Sequence, residues 1–447
     1  MICLKAIYRL KAFPTNHFYL FYRSFQKTAL KTNKHTKFSL SQANGVNIIS
    51  RDLGGPGASL SLIIRSGSRY EPISGLAHLL QRFAFKNTER RSSLRIFREI
   101  ELLGGSLFSD ISRENLILST QFLRENLGYF VELLAEVLTK TRYNVYELDE
   151  IVLPYALSED KKRRSIPSIF GFDAVHELAF RRGLGRPLLT NERNHVTVEM
   201  IKNYAKKSYV KNNIVVLATN ANQSELVDLI KEHFGILSSG DAASSPKSVY
   251  YGGENRIPFK SHIGHFLISF PRPAEFAPFS DEYFLLSYLL GMGSRVKWSY
   301  ENSPFGNIEK SLSNGTTLLS TNFAYSDTGL FCIHVYGPVN TLGKAIKLSV
   351  EALRSILKTI NDNDIEKAIS QAKYYLFDLD AKRTKIHQNI GFYYLASGSL
   401  LNYESIVSRI EKITTTKIKS AISKMIEAKP SVVMIGDTNF LPYYDEL

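Results

Sequence analysis

A chain of 447 residues with 44% apolar side chains is long enough for two or more folded domains, each with its own core. Its only cysteines, Cys3 and Cys332, exclude a disulfide-stapled secreted fold and a thiolate cage for zinc or an iron–sulfur cluster. The net charge of +14 lies mostly at the start, because residues 1–50 hold eight Lys/Arg and no acid, which leaves 48 Lys/Arg against 42 Asp/Glu elsewhere and no dense basic stripe for nucleic acid.

Residues 1–40 are basic, acid-free and rich in hydroxyl side chains, the composition of a mitochondrial presequence. On a helix, Cys3, Leu4, Ile7 and Leu10 share one arc, with Lys5 and Arg9 opposite and Lys11 falling back among the apolar residues. Arg23, before Ser24-Phe25, is a plausible arginine-directed processing site, and a plain disordered basic tail is the bland alternative. No apolar run reaches the roughly 18 residues of a membrane span, so a soluble or peripheral protein is expected.

The body repeats itself. In the first half a helix ends at Glu99–Gly105, strands follow over Ser106–Ser112 and Asn115–Phe122, and a long amphipathic helix spans Leu127–Leu138. In the second half Ile308–Gly315 precedes strands over Leu318–Tyr325 and Gly329–Tyr336 and a helix over Leu342–Leu357. Further on, Val145 and Asn363 open charged helices, and the strands Asn213–Ala218 and Ser431–Ile435 close each half. This long offset predicts a duplicated domain rather than a solenoid. The expected fold class is α+β, with two homologous tandem domains, each a mostly antiparallel sheet covered by helices. The expected boundaries are an N-terminal domain at 41–237, a Ser/Gly/Pro-containing linker at 238–261 and a C-terminal domain at 262–447.

One stretch stands out for its chemistry. Gly75 to Thr88 follows a strand at Ala58–Ser66 and reads as a helix, with His78 and Arg82 four residues apart on one face. In the inverted zinc pattern His-x-x-Glu-His, that face holds two histidine ligands, and the intervening glutamate is the general base for a metal-bound water. The frame Gly-x-Ala-His-x-x-Glu-His-x-Ala-Phe-x-x-Thr is matched at Gly75, Ala77, His78, Ala84, Phe85 and Thr88. It thereby resembles the pitrilysin-type metallopeptidases. Their mitochondrial branch includes the processing peptidase and the core proteins of respiratory complex III, ubiquinol–cytochrome c reductase.

The departures from that frame are chemical. Gln81 stands where the family has its base, and an amide takes no proton from water near neutral pH. Arg82 stands where it has its second histidine, and a guanidinium offers no lone pair to a metal. The resemblance places the third ligand, a glutamate, near Tyr155–Glu159, where Glu159 alone qualifies and Pro154 is expected to disturb the helix. No catalytic residue, metal ligand or cofactor is therefore expected, and His78, Gln81 and Arg82 read as vestigial motif positions. Other candidates carry little: His262 and His265 lie at a strand start, His176-Glu177 lacks a matching histidine, Gly291-Met-Gly293 is a lone glycine pair, and Lys161–Arg164 reads as a solvated basic turn.

Leu285–Lys297 and Asn322–Phe331 resemble the core-protein members, and Gly291–Gly306 lacks the glycine-rich loop of the processing peptidase α subunit. The resemblance implies a non-catalytic, matrix-facing subunit that pairs with core protein 1 and other complex III subunits. It would be peripheral to the inner membrane and bind no small-molecule substrate. The alternative is the presequence-recognising, catalytically silent subunit of a processing peptidase.

Overall fold

The computed structural model describes residues 37–192, 195–273, 282–293, 302–312, 315–438 and 440–446. Residues 1–36 of the presequence reading, Arg23 and much of Gly291–Gly306 lie outside the described residues, while Ser39 and Leu40, read as its end, already belong to the first strand of the fold.

The first half contributes β1 (Ser39–Ala43), β2 (Val46–Arg51), β3 (Gly57–Ile64), α1 (Leu76–Phe83), α2 (Ser93–Leu102), β4 (Ser106–Ile111), β5 (Leu116–Leu123) and α3 (Leu127–Lys140). After a short helical turn at Val145–Glu147 and a π turn at Leu148–Val152 come α4 (Leu153–Arg164) and α5 (Pro167–Phe180). Then follow α6 (Val198–Ser208), β6 (Ile214–Thr219) and α7 (Gln223–His233). The second half contributes β7 (Gly253–Pro258), β8 (Ile263–Arg272), α8 (Glu282–Leu290), α9 (Pro304–Leu312), β9 (Thr317–Ala324), β10 (Gly329–Pro338) and α10 (Val339–Thr359). It ends with α11 (Asp362–Ala381), α12 (Arg383–Ser397), α13 (Tyr403–Ile410), α14 (Thr415–Glu427) and β11 (Ser431–Gly436).

The sheets share one topology. The first has the order β1-β2-β6-β3-β5-β4 and the second β7-β11-β8-β10-β9. In each, a single parallel pair (β2 with β6, β7 with β11) sits beside an antiparallel run. The duplicated α+β design is thus present strand for strand, with β1 as an added edge. One boundary needs correcting. The stretch read as linker, 238–261, ends in β7, whose backbone pairs with β11 from Ser431↔Gly253 to Gly436↔Pro258. Its composition looks loop-like because an edge strand has only one neighbour to pack against.

The halves are not independent beads. One face of the first sheet, with Leu60, Leu62, Ile64, Val216 and Leu118, packs under α1, α3 and α6 of its own half. The opposite face presents Ile49, Ile63, Ile117, Val215 and Leu217, which share a core with Ile386 and Ile390 of α12 from the second half. Reciprocally, α5 of the first half lays Ala174, Val175 and Ala179 on Leu267, Cys332, Val433 and Ile435 of the second sheet. A glycine lies at each crossing, Gly391 in α12 and Gly171 in α5. A Cβ at Gly391 would meet Ile63, and one at Gly171 would lie 2.7 Å from Leu267.

Polar groups hold the seam in register. His387 of α12 is fully buried between Ser61 Oγ and Thr219 Oγ1, each 2.8 Å from a ring nitrogen. On the other side Tyr325 Oη lies 2.7 Å from His176 Nε2; His176 Nδ1 donates to the Phe172 carbonyl, so Nε2 accepts the phenol proton. The turn between β9 and β10 is clamped by Arg69, which donates to Glu114 at 2.8 Å and to Asp327 at 2.7 Å. The Ser326 hydroxyl adds a bond to Glu114.

Two outcomes follow from this seam. Gly391→Leu should lower stability by about 1–3 kcal/mol, read from the denaturant midpoint, because the added atoms have no space between α12 and β3. Burial, helped by the Arg51 charge, lowers His387 from 6.5 to about 3. The unfolded chain therefore takes up a proton near 6.5 that the folded chain refuses until about 3. This contribution to stability is complete above 6.5 and declines as pH falls toward 3. His387→Gln should flatten the acid limb of the unfolding profile relative to wild type.

Candidate functional site

Helix α1 is placed by its apolar face. Leu76, Ala77, Leu79, Leu80 and Phe83 enter the first-half core, which turns His78, Gln81 and Arg82 toward α4 and the edge strand β4. The start of the helix is held by Glu71, whose carboxylate accepts from the backbone N–H of Gly75 at 3.0 Å and Ala77 at 2.8 Å. Burial pushes Glu71 up to about 8, opposed by those same N–H groups.

The three motif positions meet different partners. His78 Nδ1 accepts the backbone N–H of Thr190 at 3.2 Å, so the neutral ring carries its proton on Nε2. That Nε2 donates to Glu159 Oε2 at 3.1 Å. The Arg82 guanidinium donates to the other oxygen, Glu159 Oε1, and lies 4.9 Å from the centre of the Tyr155 ring. Burial raises the Glu159 carboxyl, but the His78 hydrogen bond and the Arg82 charge outweigh it and hold it below its usual range. Gln81 turns away from this group, and its amide donates to Ser109 O at 3.0 Å and Ser109 Oγ at 2.7 Å.

Glu159, the position that the resemblance implied for a third ligand, thus reaches His78. Pro154 lies within a helical run unbroken from Val145 to Arg164, and the expected disturbance is the π turn at Leu148–Val152 directly before it, which absorbs the missing N–H. The basic run Lys161–Arg164 forms the last turn of α4 and is mostly exposed, where cations favour the helix C-terminus, and Arg163 and Arg164 pair with Asp173 at 2.7 Å and Asp160 at 2.8 Å.

The arrangement does not fit the zinc of the peptidase frame. Both nitrogens of His78 are engaged, one accepting from the backbone and one donating to Glu159. Glu159 already has a cation, and that cation sits on the position of the second ligand. Among the described residues, no three or more His, Cys, Asp or Glu side chains converge as a metal site would require. What the cluster does chemically is tie α1 to α4 through a two-sided carboxylate bridge.

Sequence spacing missed the pairings that cross the chain. His265 on β8 finds not His262 but His334 on β10, with Nδ1 and Nε2 3.1 Å apart and the rings stacked. Burial lowers these groups to about 4 and about 3, which keeps both neutral. The period-2 pattern of β10 marks His334 as facing the same way as Cys332 and Tyr336, but no local signal names its partner.

Two substitutions probe the cluster. Gln81→Glu sets a carboxylate against the Ser109 carbonyl and should cost about 1–3 kcal/mol in chemical denaturation, with the loss growing as pH rises, since only the protonated acid donates. Glu159, held low in the fold, contributes stability above the usual carboxylate range and loses it as pH falls through its folded value. Glu159→Gln should remove that acid-range dependence from the thermal unfolding profile.

Comparison with known proteins places this geometry. Residues 47–192 match the family described as insulinase (peptidase family M16), and residues 195–372 match the peptidase M16 inactive domain. The chain is 33% identical to cytochrome b-c1 complex subunit 2 of Cryptococcus neoformans, over 92% of this chain and 94% of that protein. It is 35% identical to the Neurospora crassa protein of the same name, over 90% and 89%. It is 27% identical to mitochondrial-processing peptidase subunit alpha-2 of Dictyostelium discoideum, over 94% and 96%. Each half retains the sheet order of the other. The chain belongs to the insulinase-like peptidase family M16.

Proposed function

We propose that the chain is a non-catalytic assembly subunit of ubiquinol–cytochrome c reductase, complex III. In this reading it sits peripherally on the matrix side of the mitochondrial inner membrane and pairs with core protein 1. His78, Gln81 and Arg82 are then vestigial motif positions with a packing role. The observation that carries the reading is the Arg82–Glu159–His78 bridge, which spends the ligand positions of the peptidase frame on holding two helices together. The subunit 2 relatives support the same conclusion, since they match at higher identity than the processing-peptidase relatives. No helix among the described residues is long and apolar enough to cross a membrane, which suits a peripheral subunit.

The presequence-recognising alternative draws on the likeness to processing-peptidase α subunits and on a cavity of about 310 Å³ at the seam. That cavity is lined by Phe284, Tyr325, Tyr375, Phe392 and Tyr393, and its one acid, Glu114, is ion-paired with Arg69. Such a lining offers a basic presequence little charge complementarity.

On native gels of mitochondria the protein should co-migrate with cytochrome b, and its deletion should deplete assembled complex III. Normal complex III in the deletion strain would reject the proposal. Chelator-sensitive cleavage of basic presequence peptides by the purified chain would show that it is a peptidase after all.

A further inference from the structure

The outer face of the second half is charged unevenly. Helices α10 and α14 lie beside each other on β8, and each sinks one apolar stripe into the core, Leu342, Ile346 and Leu353 from α10 and Ile418, Ile422 and Met425 from α14. Their opposite faces stand in water and carry Lys344, Lys347 and Lys358 on the first helix and Lys417 and Lys424 on the second. Residues 339–359 and 411–429 together hold nine Lys/Arg against three acids. That surplus of six equals the whole surplus of 48 Lys/Arg over 42 Asp/Glu beyond residue 50, so the remainder of the folded chain is balanced and the excess is concentrated here. Glu411 pairs with Lys373, which leaves Glu351 at mid-α10 and Glu427 at the end of α14 as the acids of the face. Asp362 stands at its edge, accepting from Thr415 Oγ1 at 2.5 Å, and Glu446 of the C-terminal tail lies across a groove from Lys344. None of the five lysines has a carboxylate partner among the described residues.

The type of cation and what accompanies it indicate the counterpart. Eight of the nine are lysines. Protein interfaces are depleted in lysine and built around aromatic and arginine anchors, and α10 and α14 expose no large apolar side chain that could serve as one. A single-stranded nucleic acid is gripped by aromatic rings set between the cations, and neither helix has an aromatic residue. Lysines on flexible stems, spread over about 21 Å from Lys344 to Lys358 at 1.5 Å per residue, suit a broad field of phosphates that needs no fixed geometry. A polybasic surface of this composition is attracted to an anionic bilayer, with each lysine near the headgroups adding to the attraction.

We propose that the α10–α14 face is a contact for an anionic phospholipid surface, made by Lys344, Lys347, Lys358, Lys417 and Lys424. This rests on the membrane-peripheral placement proposed above. In the test, the full chain is treated with an amine-acylating reagent beside vesicles of phosphatidylcholine containing about 20% phosphatidylglycerol, and the modification of each lysine is read by mass spectrometry. The five lysines should be labelled about threefold more slowly than beside vesicles of phosphatidylcholine alone, while Lys202 and Lys231 of the first half keep their rates. The protection should vanish at about 1 M salt, where the screening length falls to about 3 Å. The double variant Lys347→Gln/Lys424→Gln should lose about half or more of the protection at Lys344, Lys358 and Lys417. Because the readout is local to named lysines, binding through the basic residues 1–36 does not imitate it, and because the wild-type measurement leaves the face intact, misfolding of the variant would not decide the matter. Equal labelling beside both kinds of vesicle, protection that persists at high salt or in the folded double variant, or equally strong protection by duplex DNA at the same phosphate concentration would overturn the lipid contact while leaving the assembly role standing. Absence of the chain from complex III, with the protection by anionic vesicles intact, would instead overturn the assembly role.

Discussion

Each sheet of this protein has two apolar faces and only one of them is covered by helices of its own half. The rest of the structure depends on how the other face is hidden. Helix α12 crosses to the first sheet and α5 crosses to the second, so each half supplies the lid of the other. Separating the halves would expose Ile63, Ile117, Val215 and Leu217 on one sheet and Leu267, Val433 and Ile435 on the other, with a hydrophobic cost that rises with the area bared. It would also break the Ser61–His387–Thr219 and Tyr325–His176 bonds, which pair groups too buried to find water. Apolar burial supplies the drive, and these polar contacts fix which register of helix on sheet is allowed.

The candidate site inherits its geometry from that exchange. Helix α4, which carries Glu159, runs into α5 within a few residues, so the docking of α5 on the second sheet sets where α4 can lie. Asp173 on α5 reinforces this by holding Arg163 at the end of α4 and Arg113 at the start of the β5 hairpin, both at 2.7 Å. Helix α1 comes from the opposite direction, seated in the first-half core. The two meet where His78, Arg82 and Glu159 close on one another, so a small polar cluster reports the arrangement of both halves.

Much of this was legible in the sequence because it is local. The strands from Ser106 and Leu116, the hairpin around Ser326–Thr328 and the helix bearing His78 follow from side-chain period and turn residues, and Glu159 was reachable by counting along the family frame. What escaped was non-local. In β3 the alternation of Ser59 and Ser61 with Leu60 and Leu62 reads as a strand with a wet face, yet both serines are buried, and Ser61 bonds His387 of a helix more than 300 residues later. The strand β7 hid in a loop-like composition because its partner, β11, is the last strand of the chain. His334 gave no sign of His265, since a contact between strands depends on register, which no short window contains.

The two departures at positions 81 and 82 make more sense together than apart. In the zinc frame, two carboxylates and two neutral histidines surround a divalent cation, and the charges cancel. Without the metal that set would leave two negative charges close together at the end of a packed helix. Replacing only the base with an amide would still leave one uncompensated carboxylate. Replacing only the second histidine with arginine would leave two carboxylates against one cation. With Gln81 and Arg82 both present, one carboxylate faces one guanidinium, and the balance is restored with no ion to bind or lose. Uncompensated buried charge is among the costlier defects a fold can carry. The pair therefore converts a centre that needs metal for neutrality into one that is neutral by composition, and it does so at the point where α1 and α4 must stay together.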